Sequence, residues 1–117
     1  MTITKFEDLV AWQKGQDLSV EVYKVFRNSK DFSFKDQICR ASVSISNNIA
    51  EGFDRFNPKE FRRFLFIAIA SCAEVKSMLY LALRLEYISK DLNEKLILIC
   101  TEISKIIRGL INSIKIK

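Results

Sequence analysis

Residues 57–85 read NPKEFRRFLFIAIASCAEVKSMLYLALRL, and the character of this stretch decides the fold. Asn57 is a residue type that caps helices, and Pro58 suits the first helical position, where its missing N–H costs nothing. Glu60 is placed to close a capping box, and Phe56 with Phe61 has the spacing of a hydrophobic staple. No glycine or proline follows, so a helix is predicted over 58–85, the longest in the chain at roughly 44 Å. It carries two apolar stripes. Phe61, Leu65, Ala68, Cys72, Val75, Leu79 and Ala82 form one, while Ile67, Ala70, Met78, Leu81 and Leu85 form the other. A bundle helix needs only one such face. Either two neighbours within one monomer bury both stripes, or the second stripe faces another subunit. Large apolar patches are uncommon on monomers, so a homo-oligomer is expected, with Ile67, Met78 and Leu81 at its interface.

Working outward, three more helices are predicted, at about 8–28, 34–52 and 90–114. The first places Leu9, Trp12, Gln16, Ser19, Tyr23 and Phe26 at alternating three- and four-residue steps, a stripe that is partly polar. The polar run Arg27 to Asp31 connects it to the second, with Phe32 and Phe34 expected to fold back on the bundle end. Ser33 and Asp36 resemble a capping box, Ile38, Ala41, Ile45 and Ile49 make the inner face, and Gly52 reads as the stop. Ser89 is expected to cap the fourth helix, whose seam is Leu92, Leu96, Ile99, Ile103, Ile106, Leu110 and Ile114. Four helices with short joints give an all-α, single-domain, antiparallel up-down-up-down bundle spanning 1–117.

Composition agrees with this and excludes much chemistry. Three glycines and one proline in 117 residues are too few for an all-β chain of tight turns. The N-terminus is charged and has no apolar run, so no signal peptide or membrane anchor is expected and the protein should be cytoplasmic. The longest apolar stretch, Phe64 to Ala73, is about half the ~20 residues of a membrane span and reads as core. Cys39, Cys72 and Cys100 are widely spaced among apolar neighbours and read as small core residues, with no disulfide framework and no metal site. The chain has no histidine, which removes the commonest general base and the Ser-His, Cys-His and di-iron arrangements. Its glycines are isolated, so no phosphate loop can be drawn. No cofactor is expected, and the protein reads as a non-enzyme.

Two carboxylates need explanation. Glu74 lies within the second stripe, where an unpaired charge would be expensive. Glu51 follows Arg40 by eleven residues, which returns it to the same side of a helix, so Arg40, Ser44, Asn47 and Glu51 share one polar edge. Arg40, Asn48, Glu51 and Glu74 are expected to form a structural polar network that fixes helix register.

The net charge of +5 is unevenly placed. Residues 1–54 carry −1 and 64–100 are neutral, while 55–63 and 101–117 each carry +3. In the predicted topology both basic segments lie at one end of the bundle. That end gathers Arg55, Lys59, Arg62, Arg63, Lys105 and Arg108, together with Lys115 and Lys117. Positive charge at the end of the fourth helix is favourable to the helix itself, by about 0.3–1 kcal/mol. At the start of the third helix it is not, which leaves a partner as the reason. Concentrated cations are the footprint of phosphate binding, so RNA or DNA backbones are the expected ligand. Phe53 and Phe56 could stack unpaired bases, with staple and core roles as the plainer alternative. A protein-interaction scaffold using the same surfaces is the second functional reading.

The runs FEDLVAW (6–12), QICRASVSISNNIAEG (37–52) and FRRFLFIAIASCAE (61–74) resemble the four-helix proteins encoded by intervening sequences in bacterial 23S rRNA genes. The most specific piece is Ser-Ile-x-x-Asn-Ile-Ala-Glu-Gly at 44–52, followed by Arg55 and an aromatic-rich third helix. The resemblance implies a small cytosolic bundle that forms ring-like homopentamers. It extends to the accessory protein of diversity-generating retroelements, which implies association with nucleic acid and with a reverse transcriptase as a protein partner. Cys39 departs from the pattern, since relatives usually carry a basic residue there. The connector before Phe34 also lacks the proline common in relatives.

Overall fold

The computed structural model describes residues 2–116 as an all-helical bundle measuring 48 × 22 × 20 Å. A short 3-10 turn, Phe6–Asp8, precedes α1 (Val10–Phe26), α2 (Phe32–Phe53), α3 (Pro58–Arg84) and α4 (Lys90–Ser113). The helices pack as α1 on α2, α2 on α3, α3 on α4 and α4 back on α1, which closes the up-down-up-down circuit.

The starts of α3 and α4 follow the expected cap chemistry. Asn57 Oδ1 accepts from the Glu60 N–H at 3.1 Å, and Ser89 Oγ accepts from the Leu92 N–H at 3.3 Å. The box at α3 stays open, because the Glu60 carboxylate turns to Arg63 at 3.0 Å. The staple is also different. Phe56 is 81% exposed, and Phe61 packs edge-on against Phe53 instead, with ring centroids 5.6 Å apart. At α2 the cap is Asp31, which accepts from the Phe34 N–H at 3.1 Å, so the helix begins before Ser33. Phe34 is buried against Phe26, whereas Phe32 stays exposed.

The stripe predicted for α1 has the wrong phase. Ala11, Gly15, Leu18, Val22 and Phe26 face inward, together with Leu9, while Gln16 and Tyr23 face out. Small residues are the cause. A Cβ on Gly15 would lie 3.3 Å from Ser46 Cβ, so α1 and α2 approach closely where Ala11 and Gly15 carry little hydrophobic weight, and Leu18, Val22 and Phe26 continue the same face. Gly52 is not a stop, because α2 runs past it to Phe53. A Cβ there would fall 2.4 Å from Phe64 Cβ, and its absence lets α2 and α3 converge.

On α2 the buried face contains Ile38, Ala41, Ile45 and Ile49, as the sequence pattern requires. On α4 the deepest seam is Leu96, Cys100, Ile103, Ile107 and Ile111, with Leu92, Ile99, Ile106, Leu110 and Ile114 half-buried beside it. All three cysteines are buried and free. Cys72 Sγ donates to the Cys100 carbonyl at 3.1 Å, and burial pushes the Cys39 thiol above its ordinary range.

One stripe of α3 is core: Leu65, Ala68, Cys72, Val75, Leu79 and Ala82 are buried. The other divides. Met78 is only 8% exposed and belongs to the core of its own chain, which corrects its assignment to a subunit interface. Ile67, Leu81 and Leu85, with Phe66 and Tyr80 beside them, are 38–53% exposed. By length and composition α3 is apolar enough to cross a membrane, at a mean hydropathy of 1.6, because charge interrupts its apolar residues only sparsely. Both charges that break the apolar run find partners in the bundle. Glu74 accepts from Gln37 at 3.3 Å, and Lys76 donates to Thr101 at 2.9 Å.

Candidate nucleic-acid interface

The ends of α2 and α4 and the start of α3 meet as expected. Phe53, Phe56, Pro58, Phe61, Ile114 and Lys115 line one cavity of about 580 Å³ at this end of the bundle, closed on one side by Ile3 and Thr4.

The cations at this end fall into two groups with different electrostatics. Arg55 and Arg63 straddle the Phe64 ring at 5.2 and 4.6 Å from its centroid. Each also has a carboxylate: Glu51 lies 3.3 Å from Arg55, and Glu60 lies 3.0 Å from Arg63. The Arg63 hydrogen bond holds the Glu60 carboxyl below its ordinary range, and Glu60 raises Arg63 in turn. This pair of arginines is therefore largely neutralised. Lys59 is exposed and has no ion pair among the described residues.

The second group lies on the seam between α3 and α4. Lys76, Lys105 and Arg108 line a cavity of about 260 Å³ with the hydroxyls of Thr101 and Ser104, over Cys72 and Cys100. No carboxylate lines it. The nearest in sequence, Glu102, is held on the α1 side by Lys14 at 2.7 Å. Arg62 stands fourteen residues before Lys76, a spacing close to a whole number of turns, so it extends the same edge toward the bundle end. There its guanidinium lies over Phe66, 5.8 Å from the ring centroid. Helix-end electrostatics do not explain Lys105 and Arg108, because α4 runs on to Ser113 and its last turn holds no basic residue.

The structure thus brings Lys105 and Arg108 together with Lys76, set back from the end, and separates them from Arg55 and Arg63. Lys76 was legible as a charge interrupting an apolar run, but its seven-residue series with Ile69 and Arg62 is the signal that marks the edge. Nothing in the sequence singles out Thr101 or Ser104.

The predicted polar network does not form as one unit. Arg40 is exposed and pairs with Asp36 one turn away, Glu51 pairs with Arg55, and Glu74 is exposed. Asn48 donates to the Ser44 carbonyl and hydroxyl at 2.7 and 2.9 Å. That hydroxyl reaches Ser71 on α3, 2.9 Å away, and Glu74 reaches Gln37 on α2, but neither contact joins the four residues to one another. The four residues sit on the outer half of α2 and α3, where water solvates a charge and no buried partner is needed. Register is carried elsewhere, by Asn93, a buried residue of α4 that donates to the Leu79 carbonyl at 2.7 Å.

The family model described as 23S rRNA-intervening sequence protein matches residues 7–109. The chain belongs to this family. A solved structure with the same fold is a protein of unknown function from the S23 ribosomal protein family of Bacteroides thetaiotaomicron. It superposes with a TM-score of 0.83 at 30% identity, covering 89% of this chain and 100% of its own. No curated protein matches. The 23S rRNA-intervening sequence match ends at residue 109, so it takes in Lys76, Lys105 and Arg108 and stops short of Lys115.

Proposed function

We propose that this 23S rRNA-intervening sequence protein is a non-enzymatic homo-oligomer that binds RNA or DNA backbones along the α3–α4 seam. The observation that carries the reading is the seam cavity, where Lys76, Lys105 and Arg108 converge with two hydroxyls and no carboxylate. Like charges placed together without counter-charge repel, and an anionic ligand removes that penalty. Thr101 and Ser104 add neutral hydrogen-bonding groups of the kind that position phosphate oxygens. The rRNA context in the family's description supports the choice of nucleic acid over other polyanions. Base-specific reading is not part of this proposal.

Self-association is supported by the outward face of α3. Phe66, Ile67, Tyr80, Leu81 and Leu85 are exposed there, around the small residues Ala70, Ala73 and Ser77, which let a second helix approach closely. Five subunits is the number that the sequence resemblance implies.

Binding to structured RNA and to duplex DNA, measured by fluorescence anisotropy, tests the main reading. Lys105→Gln with Arg108→Gln should weaken both, by about tenfold or more at moderate salt, since each lost phosphate contact also forfeits counterion release. Arg55→Gln, whose charge Glu51 already offsets, should matter much less. If the double variant binds as the parent does, the seam is not the interface. A protein partner that co-purifies through nuclease treatment would favour the scaffold reading instead.

A further inference from the structure

The cavity at the bundle end is lined by three aromatic rings, of which Phe53 and Phe61 also pack against the core. Phe56 does not. It is 81% exposed and has a φ of 52°, a left-handed conformation that side chains other than glycine's rarely adopt. A large apolar ring held out in water on a strained backbone gains nothing for folding, and such residues cluster at functional sites. Phe53 and Phe61, locked edge to face, support the cavity from below, and Phe56 stands 6.4 Å from Phe53 at its rim.

The rest of the lining is mixed: Ile3, Pro58 and Ile114 are apolar, Thr4 and Asn57 are polar, and Lys115 brings a positive charge. Lys115 lines the cavity, and Lys59 follows Pro58 at its edge. Asn57 Oδ1 is committed to the helix cap, which leaves the amide nitrogen as a donor on the cavity wall. A flat ring joined to an anion fits this combination of aromatic lining, amide donor and cationic rim. An apolar side chain of a protein would use the lining and leave the cations without a partner.

We propose that the end cavity receives an unpaired nucleobase, stacked on Phe56, with its phosphate toward Lys59 and Lys115. This rests on the nucleic-acid reading of the α3–α4 seam and adds to it a preference for single-stranded or extruded nucleotides over continuous duplex. Stacking accepts any base, so the preference is for strandedness and not for sequence.

The test uses the full chain with two probes: a short single-stranded oligoribonucleotide carrying 2-aminopurine, and a blunt duplex of the same length. Phe56→Ala should weaken the single strand by about tenfold and abolish the 2-aminopurine fluorescence change, while duplex affinity stays within about twofold. Phe56→Tyr should restore both readouts. Because Phe56 is outside the core, circular dichroism of the variants should match the parent. Unchanged single-strand affinity in Phe56→Ala, or an equal loss on both probes, overturns the proposal. So does a parent protein that binds the strand with no 2-aminopurine response, a result that would assign the cavity to an apolar protein side chain. A parent that binds neither probe defeats the seam reading and this one with it. Loss of duplex binding in the Lys105 and Arg108 variant alone concerns only the seam.

Discussion

At the scale of single residues, two backbone positions carry costs that can be read directly. Gly52 is buried where α2 meets α3, and a methyl group there would overlap Phe64 Cβ, an atom fixed to its own helix backbone. Alanine is the better helix former by about 1 kcal/mol, but forced overpacking costs about 1–3 kcal/mol and should dominate. Gly52→Ala is therefore expected to lose up to about 2 kcal/mol in urea denaturation; a gain would mean that the helices separate without cost. Glu86 presents the opposite case. It ends α3 at a φ of 61°, with its N–H bonded to the Leu83 carbonyl and the Tyr87 N–H to the Ala82 carbonyl, the pattern of a Schellman cap. Glycine takes that conformation without the side-chain penalty, so Glu86→Gly should gain about 1 kcal/mol in the same assay. Such details were unevenly legible. The caps Asn57 and Ser89 are local chemistry and could be read from residue type and spacing. The meaning of Gly52 depends on which residue of another helix faces it, which no local pattern contains.

At the scale of elements, α3 shows where periodicity succeeds and where it stops. Its core stripe was readable because six of the seven residues assigned to it are buried. The second stripe was readable as surplus, but its edges were not. Met78 lies on the rim between the stripes, and contact with neighbouring helices draws it inside. The α1 stripe failed for a related reason: Ala11 and Gly15 mark the first turns of the buried face by smallness, so the face that leads on to Leu18, Val22 and Phe26 does not stand out by hydrophobic period. A corrected prediction for assembly follows. Leu81→Asp places a charge on the outward face of α3 and should lower the mass measured by light scattering while leaving helix content intact. Met78→Asp should instead destabilise the single chain, since it buries a carboxylate. If Leu81→Asp keeps the mass of the parent, the outward face of α3 is not a subunit interface.

At the scale of the molecule, the four bundle helices place their surplus charge and surplus apolar surface on adjoining faces of α3. The seam with α4 holds Lys76, Lys105 and Arg108, and the outward face holds Phe66, Ile67, Tyr80, Leu81 and Leu85. Association through the outward face would set copies of the seam side by side, so one strand could engage several of them. The consequence is a coupling between assembly and binding that salt dependence can detect. If each of the three seam cations releases one counterion from duplex DNA, log affinity against log salt should fall with a slope of about −2.7 for one subunit, at about −0.9 per phosphate. An oligomer that engages more than one seam should give a steeper slope. The dissociated Leu81→Asp protein should then return toward the one-subunit value, although that substitution removes no cation from the seam. Equal slopes for the assembled parent and the dissociated variant would show that each subunit binds alone, and that the apolar face of α3 serves a purpose separate from nucleic acid.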